Sequence, residues 1–269
     1  MKSPKLEIQN RVIRSSELKN KAIFFTIILS LFITELIASP TFHIPNDSTF
    51  SKNPVYNFET SMYKLNKLSN PTIVMFGDSH IEGARWNELL GIYKVIYRGV
   101  SGDVTEGLKH RLNEILKLNP KIVIIEAGIN DVYNWVKPEI IINNFKYIIK
   151  KLSERNIQVI VTSIFYAGKY WGKEWIEKNN PGVDVVKNNR NRNKLVKTLN
   201  AKLKKICKHY GAIFVDVNEK LSQNGFLKDA YSRDQLHLNA EGYKIWAEEL
   251  EKVLKRLNID KQEVHDAKE

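Results

Sequence analysis

Short apolar runs rich in Val and Ile alternate along this chain with segments of helical period, and this alternation limits the fold more than any other feature. It is typical of a parallel sheet with helices on both faces, because a crossover between neighbouring parallel strands usually contains a helix. The sequence therefore predicts an α/β protein with three layers, α/β/α, in which a five-stranded parallel sheet is the middle layer. The predicted strands are residues 72–76, 94–97, 122–126, 158–163 and 212–215.

Three apolar stripes with spacings of three and four residues predict helices that cover this sheet. The first stripe runs from Val104 to Leu116 and stops at Asn119-Pro120, which predicts a single helix there. The second stripe follows Pro138, and the third follows Asn239, a residue type that often caps a helix. We interpret all three stripes as helix faces that pack on the core.

The amino-terminal residues carry the pattern of an export signal. Residues 1–21 contain six Lys or Arg and two Glu, and residues 22–39 form an apolar stretch interrupted only by Glu35. That order is typical of a cleaved signal peptide and equally of a retained membrane anchor, so both interpretations stay open. In either case we expect the functional domain to be exported across the cytoplasmic membrane, membrane-anchored or secreted, with residues 22–39 as its contact with the membrane.

The rest of the chain divides into a polar linker at residues 40–53, a folded domain at residues 54–257 and a polar tail at residues 258–269. The single cysteine, Cys207, excludes an intramolecular disulfide and a Cys-based metal site, and we expect it to be buried. The net charge of +12 comes from scattered Lys rather than from a compact basic stripe, so no nucleic-acid partner is expected.

Unusual polar residues follow four of the five predicted strands. In open parallel sheets, ligands bind outside the carboxyl ends of the strands, so these positions are candidates for a functional site. The four blocks are Gly77-Asp78-Ser79-His80, Ser101-Gly102-Asp103, Gly128-Ile129-Asn130-Asp131 and Asp234-Gln235-Leu236-His237. Each residue alone has an ordinary structural use, as a helix cap, a turn or a core histidine, but their joint appearance after successive strands indicates a shared site.

Together the blocks supply the groups that nucleophilic catalysis requires. A serine, a histidine and an aspartate suffice for a nucleophile, its base and the group that orients the base, here Ser79, His237 and Asp234. The backbone N–H of Gly102 and the side-chain amide of Asn130 suffice to stabilise an oxyanion.

In this order the blocks resemble those of the SGNH hydrolase superfamily, also called GDSL esterases, over roughly residues 55–257. The resemblance implies a flavodoxin-like α/β/α fold. The site residues that it implies are Ser79 as nucleophile, His237 as base, Asp234 as orienting carboxylate, and the Ser79 N–H, the Gly102 N–H and the Asn130 amide as oxyanion hole. The residues from Trp86 to Leu90 and those after His237 are similar to a bacterial branch related to platelet-activating-factor acetylhydrolase. His80 departs from the leucine in the family name.

The function implied by the resemblance is that of a serine esterase, or acylhydrolase, that cleaves a carboxylic ester with a short acyl group from a small molecule or a glycan. An O-acyltransferase that acts on a glycan hydroxyl would use the same residues, and this alternative stays open. The resemblance implies no metal and no organic cofactor.

Two alternatives belong to other classes of function. Asp78-Ser79-His80 imitates the Asp-x-His ligand pair of a metal-dependent phosphoesterase, but a two-metal site needs several more ligands than the motifs of this chain supply. A non-catalytic glycan-binding module would explain export, yet it gives no reason to keep Ser79, His237 and Asp234 together. An aromatic segment, residues 165–193, either walls the mouth of the site or packs as a surface helix.

Overall fold

The computed structural model describes residues 50–259, so the predicted basic region and apolar stretch, most of the linker and most of the tail lie outside the described residues. Within residues 50–259, no helix is both long enough and apolar enough to cross a membrane. The helices are α1 (Pro54–Lys64), α2 (Ser79–Glu82), α3 (Trp86–Leu90), α4 (Thr105–His110), α5 (Leu112–Leu118), α6 (Ile129–Tyr133), α7 (Pro138–Ser153), α8 (Lys173–Asn179), α9 (Val185–His209), α10 (Asn218–Leu221) and α11 (Ala240–Arg256). The strands are β1 (Ile73–Gly77), β2 (Val95–Gly99), β3 (Ile122–Glu126), β4 (Gln158–Thr162), β5 (Ile213–Val215), β6 (Ser222–Gln223) and β7 (Phe226–Leu227).

The first five strands form one parallel sheet in the order β2-β1-β3-β4-β5. This confirms the predicted five-stranded sheet, with strand ends that differ from the prediction by at most two residues. The order is that of flavodoxin-like doubly wound sheets, in which the chain winds outward in both directions from β1. Because the winding direction reverses there, the carboxyl ends of β1 and its neighbours flank a crevice.

Helices cover both faces of the sheet, so that alternate residues of each strand enter different apolar clusters. Val74 and Phe76 of β1 pack with the buried stripe of α7 on one face. Ile73 and Met75 pack on the other face with α3 and α11. The stripes predicted behind Pro138 and Asn239 are confirmed as core faces, and Cys207 is buried as predicted.

The single helix predicted from Val104 to Leu116 is wrong, because the structure has two helices there, α4 and α5, that meet at Arg111. Arg111 leaves helical geometry and turns its side chain inward, where its guanidinium is almost fully buried. Nε donates to Asp103 Oδ2 at 3.0 Å, and the two terminal nitrogens donate to the carbonyls of Arg98 at 2.9 Å and Gly77 at 2.7 Å. The apolar spacing continues through the break, so periodicity alone does not reveal it.

The antiparallel pair of β6 and β7 was not predicted either. Each strand has two residues, which is too short to show the alternation by which a strand is recognised in a sequence.

Replacing Arg111 by Met should strongly destabilise the domain, because the buried carboxylate of Asp103 would lose its charged partner. We expect the free energy of unfolding to fall by about 3–5 kcal/mol, as for other buried ion pairs with one partner removed. Urea unfolding followed by circular dichroism would measure this. Arg155→Met, at an exposed arginine just after α7, is the matched control, and an equal loss in both variants would contradict the assignment.

Candidate active site

Ser79 lies at the turn between β1 and α2, at the carboxyl edge of the sheet. Asp78 caps α2 by accepting a hydrogen bond from the N–H of His80 at 3.0 Å. Gly77, the last residue of β1, passes so close to β3 that a Cβ there would lie 1.8 Å from the carbonyl oxygen of Glu126. Only glycine fits this approach, and the tight turn that follows leaves the Ser79 side chain partly exposed.

A continuous chain of hydrogen bonds joins Ser79 to the loop before α11. Ser79 Oγ lies 3.0 Å from His237 Nε2, and His237 Nδ1 lies 2.6 Å from Asp234 Oδ2. The other oxygen of Asp234 accepts hydrogen bonds from the backbone N–H groups of Leu236 and His237. Partial burial alone would raise the pKa of Asp234, but these hydrogen bonds outweigh it and lower the pKa. Asp234 is therefore a carboxylate that holds the proton of His237 on Nδ1 and leaves Nε2 free to accept one from the serine.

The other two predicted site residues lie on the loops beside Ser79. Gly102 has a φ of +72°, which favours glycine, and within residues 50–259 its backbone N–H bonds to no acceptor. Asn130, at the start of α6, donates from Nδ2 to the carbonyl of Asp103 at 2.9 Å and, at a longer 3.3 Å, to Asp78 Oδ2. The structure thus brings Asn130 to the turn that carries Ser79, and its amide links that turn to the loop after β2.

Asn53 also contributes to this loop, although no motif in the sequence points to it. It caps α1 through its side-chain oxygen, and its amide nitrogen donates to the carbonyl of Ser101 at 2.6 Å. A Cβ added at Gly102 would lie 3.3 Å from the same nitrogen. The loop that carries Gly102 is therefore held from outside by the first helix of the domain.

His80, which departs from the family pattern, lies in a fully buried ionic cluster behind Ser79. Its Nδ1 lies 3.3 Å from Asp78 Oδ1 and 3.4 Å from Glu126 Oε2, and its Nε2 lies 3.2 Å from the carbonyl oxygen of Leu236. Burial alone would lower the pKa of His80, but Glu126 and Asp78 outweigh it and raise the pKa well above its usual value. The Nδ1 side of His80 thus faces the carboxylates of Asp78 and Glu126, and its Nε2 side faces the loop of His237.

The same cluster is the one group of three potential metal ligands that lie together within residues 50–259. Three ligands are fewer than a two-metal centre requires. The three side chains therefore do not supply the ligand set that the phosphoesterase alternative needs.

The aromatic segment reaches the mouth of the site through Trp171. The Trp171 ring meets the His237 ring edge to face, with centroids 6.4 Å apart. The backbone of the aromatic segment is also bonded to the loop of His237. The N–H of Gly168 donates to the backbone carbonyl of Gln235, and the N–H of Tyr170 donates to the Gln235 side-chain oxygen. Of the two interpretations of residues 165–193, the structure supports a wall at the site.

A family model described as GDSL-like Lipase/Acylhydrolase family matches residues 75–245, which is more than half of the chain. No curated protein matches. Among solved structures, a GDSL-like lipase from Bacteroides thetaiotaomicron is 22% identical and has a TM-score of 0.61, with 77% of this chain and 99% of that chain covered. A protein from Streptococcus pneumoniae described as a platelet activating factor is 23% identical, with a TM-score of 0.60 and coverage of 74% and 92%.

A third similar structure is a catalytic mutant of an acetylxylan esterase from Geobacillus stearothermophilus. It is 18% identical and has a TM-score of 0.54, with 72% of this chain and 97% of that chain covered. At these identities the likeness concerns the fold.

The buried Glu126 should give the stability of the domain a distinct pH dependence. Burial, together with the nearby Asp78, raises the pKa of Glu126 from 4.5 to about 7. A carboxyl whose pKa is raised on folding stabilises most below its unfolded pKa, and this contribution is lost as the pH rises towards the folded pKa. In Glu126→Gln, we therefore expect the melting temperature relative to wild type to increase between about pH 4.5 and pH 7.

Differential scanning fluorimetry across this pH range would test the expectation. Glu139→Gln, at an exposed carboxyl on α7, serves as the control and should follow the wild-type profile. A constant offset between Glu126→Gln and wild type at every pH would show that Glu126 does not take up a proton on folding.

Proposed function

Because the chain belongs to the GDSL-like lipase/acylhydrolase family, we propose that it is a serine esterase that uses Ser79, His237 and Asp234 to hydrolyse a carboxylic ester. The observation that carries this proposal is the hydrogen-bonded chain from Asp234 through His237 to the hydroxyl of Ser79. Nucleophile, base and orienting group lie in the sequence of contacts that acyl transfer to a serine requires.

In the proposed reaction, Ser79 Oγ attacks the ester carbonyl while His237 Nε2 takes the serine proton. The carboxylate of Asp234 stabilises the imidazolium that forms. As the tetrahedral intermediate collapses, His237 returns the proton to the leaving alcohol, and the acyl group remains on Ser79. A water molecule, activated by His237 in the same way, then releases the acid and restores the serine.

The oxyanion of this intermediate would be stabilised by the N–H groups of Ser79 and Gly102 and by the amide of Asn130. The Gly102 N–H supports this assignment, because no acceptor in residues 50–259 occupies it. Asn130 carries two N–H donors on one nitrogen, of which one bonds to the Asp103 carbonyl at 2.9 Å and the other makes the longer 3.3 Å bond to Asp78. We propose that the N–H of the longer bond turns to the oxyanion when it forms.

For the substrate, we propose a small-molecule or glycan ester with a short acyl group. The similarity to an acetylxylan esterase supports this choice.

We further propose that the enzyme acts outside the cytoplasmic membrane, because basic residues precede the apolar stretch of residues 22–39.

Ser79→Ala should remove nearly all ester hydrolysis while leaving the fold intact, because Ser79 is partly exposed at a turn. We expect kcat for p-nitrophenyl acetate to fall at least about 1,000-fold, since the remaining groups give only residual catalysis. Ser61→Ala, at an exposed serine of α1, should retain wild-type activity. A fluorophosphonate adduct on any residue other than Ser79, found by intact mass and peptide mapping, would refute the mechanism.

Asn130→Ala separates a role in the oxyanion hole from a role in bracing loops. If the amide stabilises the oxyanion, kcat should fall ~100- to 1,000-fold while KM hardly changes, because the bond strengthens only in the transition state. If the contact with Asp103 is its whole role, the melting temperature falls and kcat per folded molecule stays normal. Asn134→Ala, at an exposed residue just after α6, is the control for both measurements.

A further inference from the structure

We propose that a cavity formed by α6, α8 and α9 binds a sugar ring in the alcohol part of the ester, next to the ring that carries the acyl group. The cavity has a volume of about 700 Å³, within the usual range for small-molecule sites. This inference rests on the proposed function, because the side on which the alcohol leaves follows from the role of His237 as general acid.

The cavity begins one aromatic ring away from the proposed catalytic histidine. Trp171 both contacts the His237 ring and lines the cavity. Tyr133, which also lines the cavity, packs edge to face on Trp171 with ring centroids 6.1 Å apart. Trp171 is therefore the wall that the reaction centre and the cavity share.

The position of the cavity favours the alcohol over the acyl chain as its occupant. A general acid must come within hydrogen-bond reach of the leaving oxygen, so the alcohol has to lie on the side of His237. The cavity lies beyond Trp171 on that side. The Trp171 ring separates the cavity from His237, and the two ring centroids are 6.4 Å apart. We therefore place the sugar ring that carries the ester beside His237 and the next sugar ring of an oligosaccharide in the cavity.

The walls combine aromatic faces with unused amide groups. Trp175 of α8 is 64% exposed and Trp135 is 40% exposed, although tryptophan usually buries most of its surface. Asn180 and Asn188 also line the cavity, and their side-chain amides form no hydrogen bond within the described residues. A sugar ring fits this combination, because its C–H face can pack on indole while its hydroxyls bond to amides.

Contacts of Arg192 hold two of the aromatic residues that line the cavity. The guanidinium of Arg192 stacks over the rings of both Tyr133, at 4.6 Å, and Trp135, at 3.8 Å, and donates to the carbonyl of Val132 at 2.5 Å. Trp135 has a φ of +58°, an unfavourable backbone conformation for a large side chain that persists only where surrounding contacts impose it. The aromatic surface is thus held in place before any ligand arrives, which lowers the entropic cost of binding.

The test compares esters that differ in one part at a time. Glucose 6-acetate and cellobiose acetylated at O6 of its non-reducing ring differ by one sugar ring, and ethyl acetate and ethyl hexanoate differ in the acyl chain. We expect wild-type kcat/KM to be higher for the cellobiose ester than for the glucose ester. In Trp175→Ala, the ratio of kcat/KM for the cellobiose ester to that for ethyl acetate should fall about 3- to 10-fold through KM, the scale of one lost aromatic contact.

Two further variants make the result specific. Trp175→Tyr should restore most of the ratio, because it keeps an aromatic face at an exposed position of α8, a helix without buried residues. Tyr93→Ala, at an exposed aromatic residue that does not line the cavity, should leave the ratio unchanged. A drop confined to ethyl hexanoate would assign the cavity to the acyl chain, and an unchanged ratio in Trp175→Ala would also overturn the inference.

A binding measurement separates this inference from the proposed function. Unmodified cellobiose, titrated into the wild-type protein and followed by tryptophan fluorescence, should bind, and Trp175→Ala should weaken that binding. Wild-type protein that hydrolyses simple esters but does not bind cellobiose would overturn the inference alone. Protein that binds cellobiose but hydrolyses no ester would overturn the proposed function and leave the cavity as a sugar site without a role in ester cleavage.

Discussion

The guanidinium of Arg111 bonds to three parts of the chain that end at the carboxyl edge of the sheet: the last carbonyl of β1, a carbonyl of β2 and the carboxylate of Asp103. A charge buried this deeply is costly unless it is paired and hydrogen-bonded, and here each of the three nitrogens has a partner. The backbone of Asp103 in turn accepts a hydrogen bond from Asn130. The relative positions of the turn that carries Ser79 and of the loops that carry Gly102 and Asn130 thus depend on the guanidinium of Arg111.

His80, which is also fully buried, connects the turn that carries Ser79 to the opposite side of the site. It contacts Asp78, which caps α2, and the backbone of Leu236, the residue before His237. The hydroxyl of Tyr243 on α11 donates to the carbonyl of His80 at 3.0 Å and so joins the same network. Ser79 and His237 are 158 residues apart in the chain, and this buried contact helps to keep their side chains at 3.0 Å.

The sheet could be predicted because its strands are continuous apolar runs, and the four polar blocks could be placed at its carboxyl edge by the same argument. The break at Arg111 could not, since its neighbours keep a helical apolar spacing on both sides. Glu126 was assigned to a strand, but nothing local showed that it faces His80. The place of the aromatic segment depends on contacts with Gln235, which is 65 residues from Tyr170, and such distant pairing leaves no periodic trace in one sequence.

The bonds from Gly168 and Tyr170 to Gln235 have a consequence for how this protein can evolve. Gln235 lies between Asp234 and His237, in a left-handed conformation with a φ of +72°. Substitutions that reshape the segment after β4 therefore also act on the loop that aligns the histidine. Relatives that change their preferred ligand through the segment after β4 must preserve the path of its backbone. We therefore expect its exposed side chains to vary among them more than the length of the segment does.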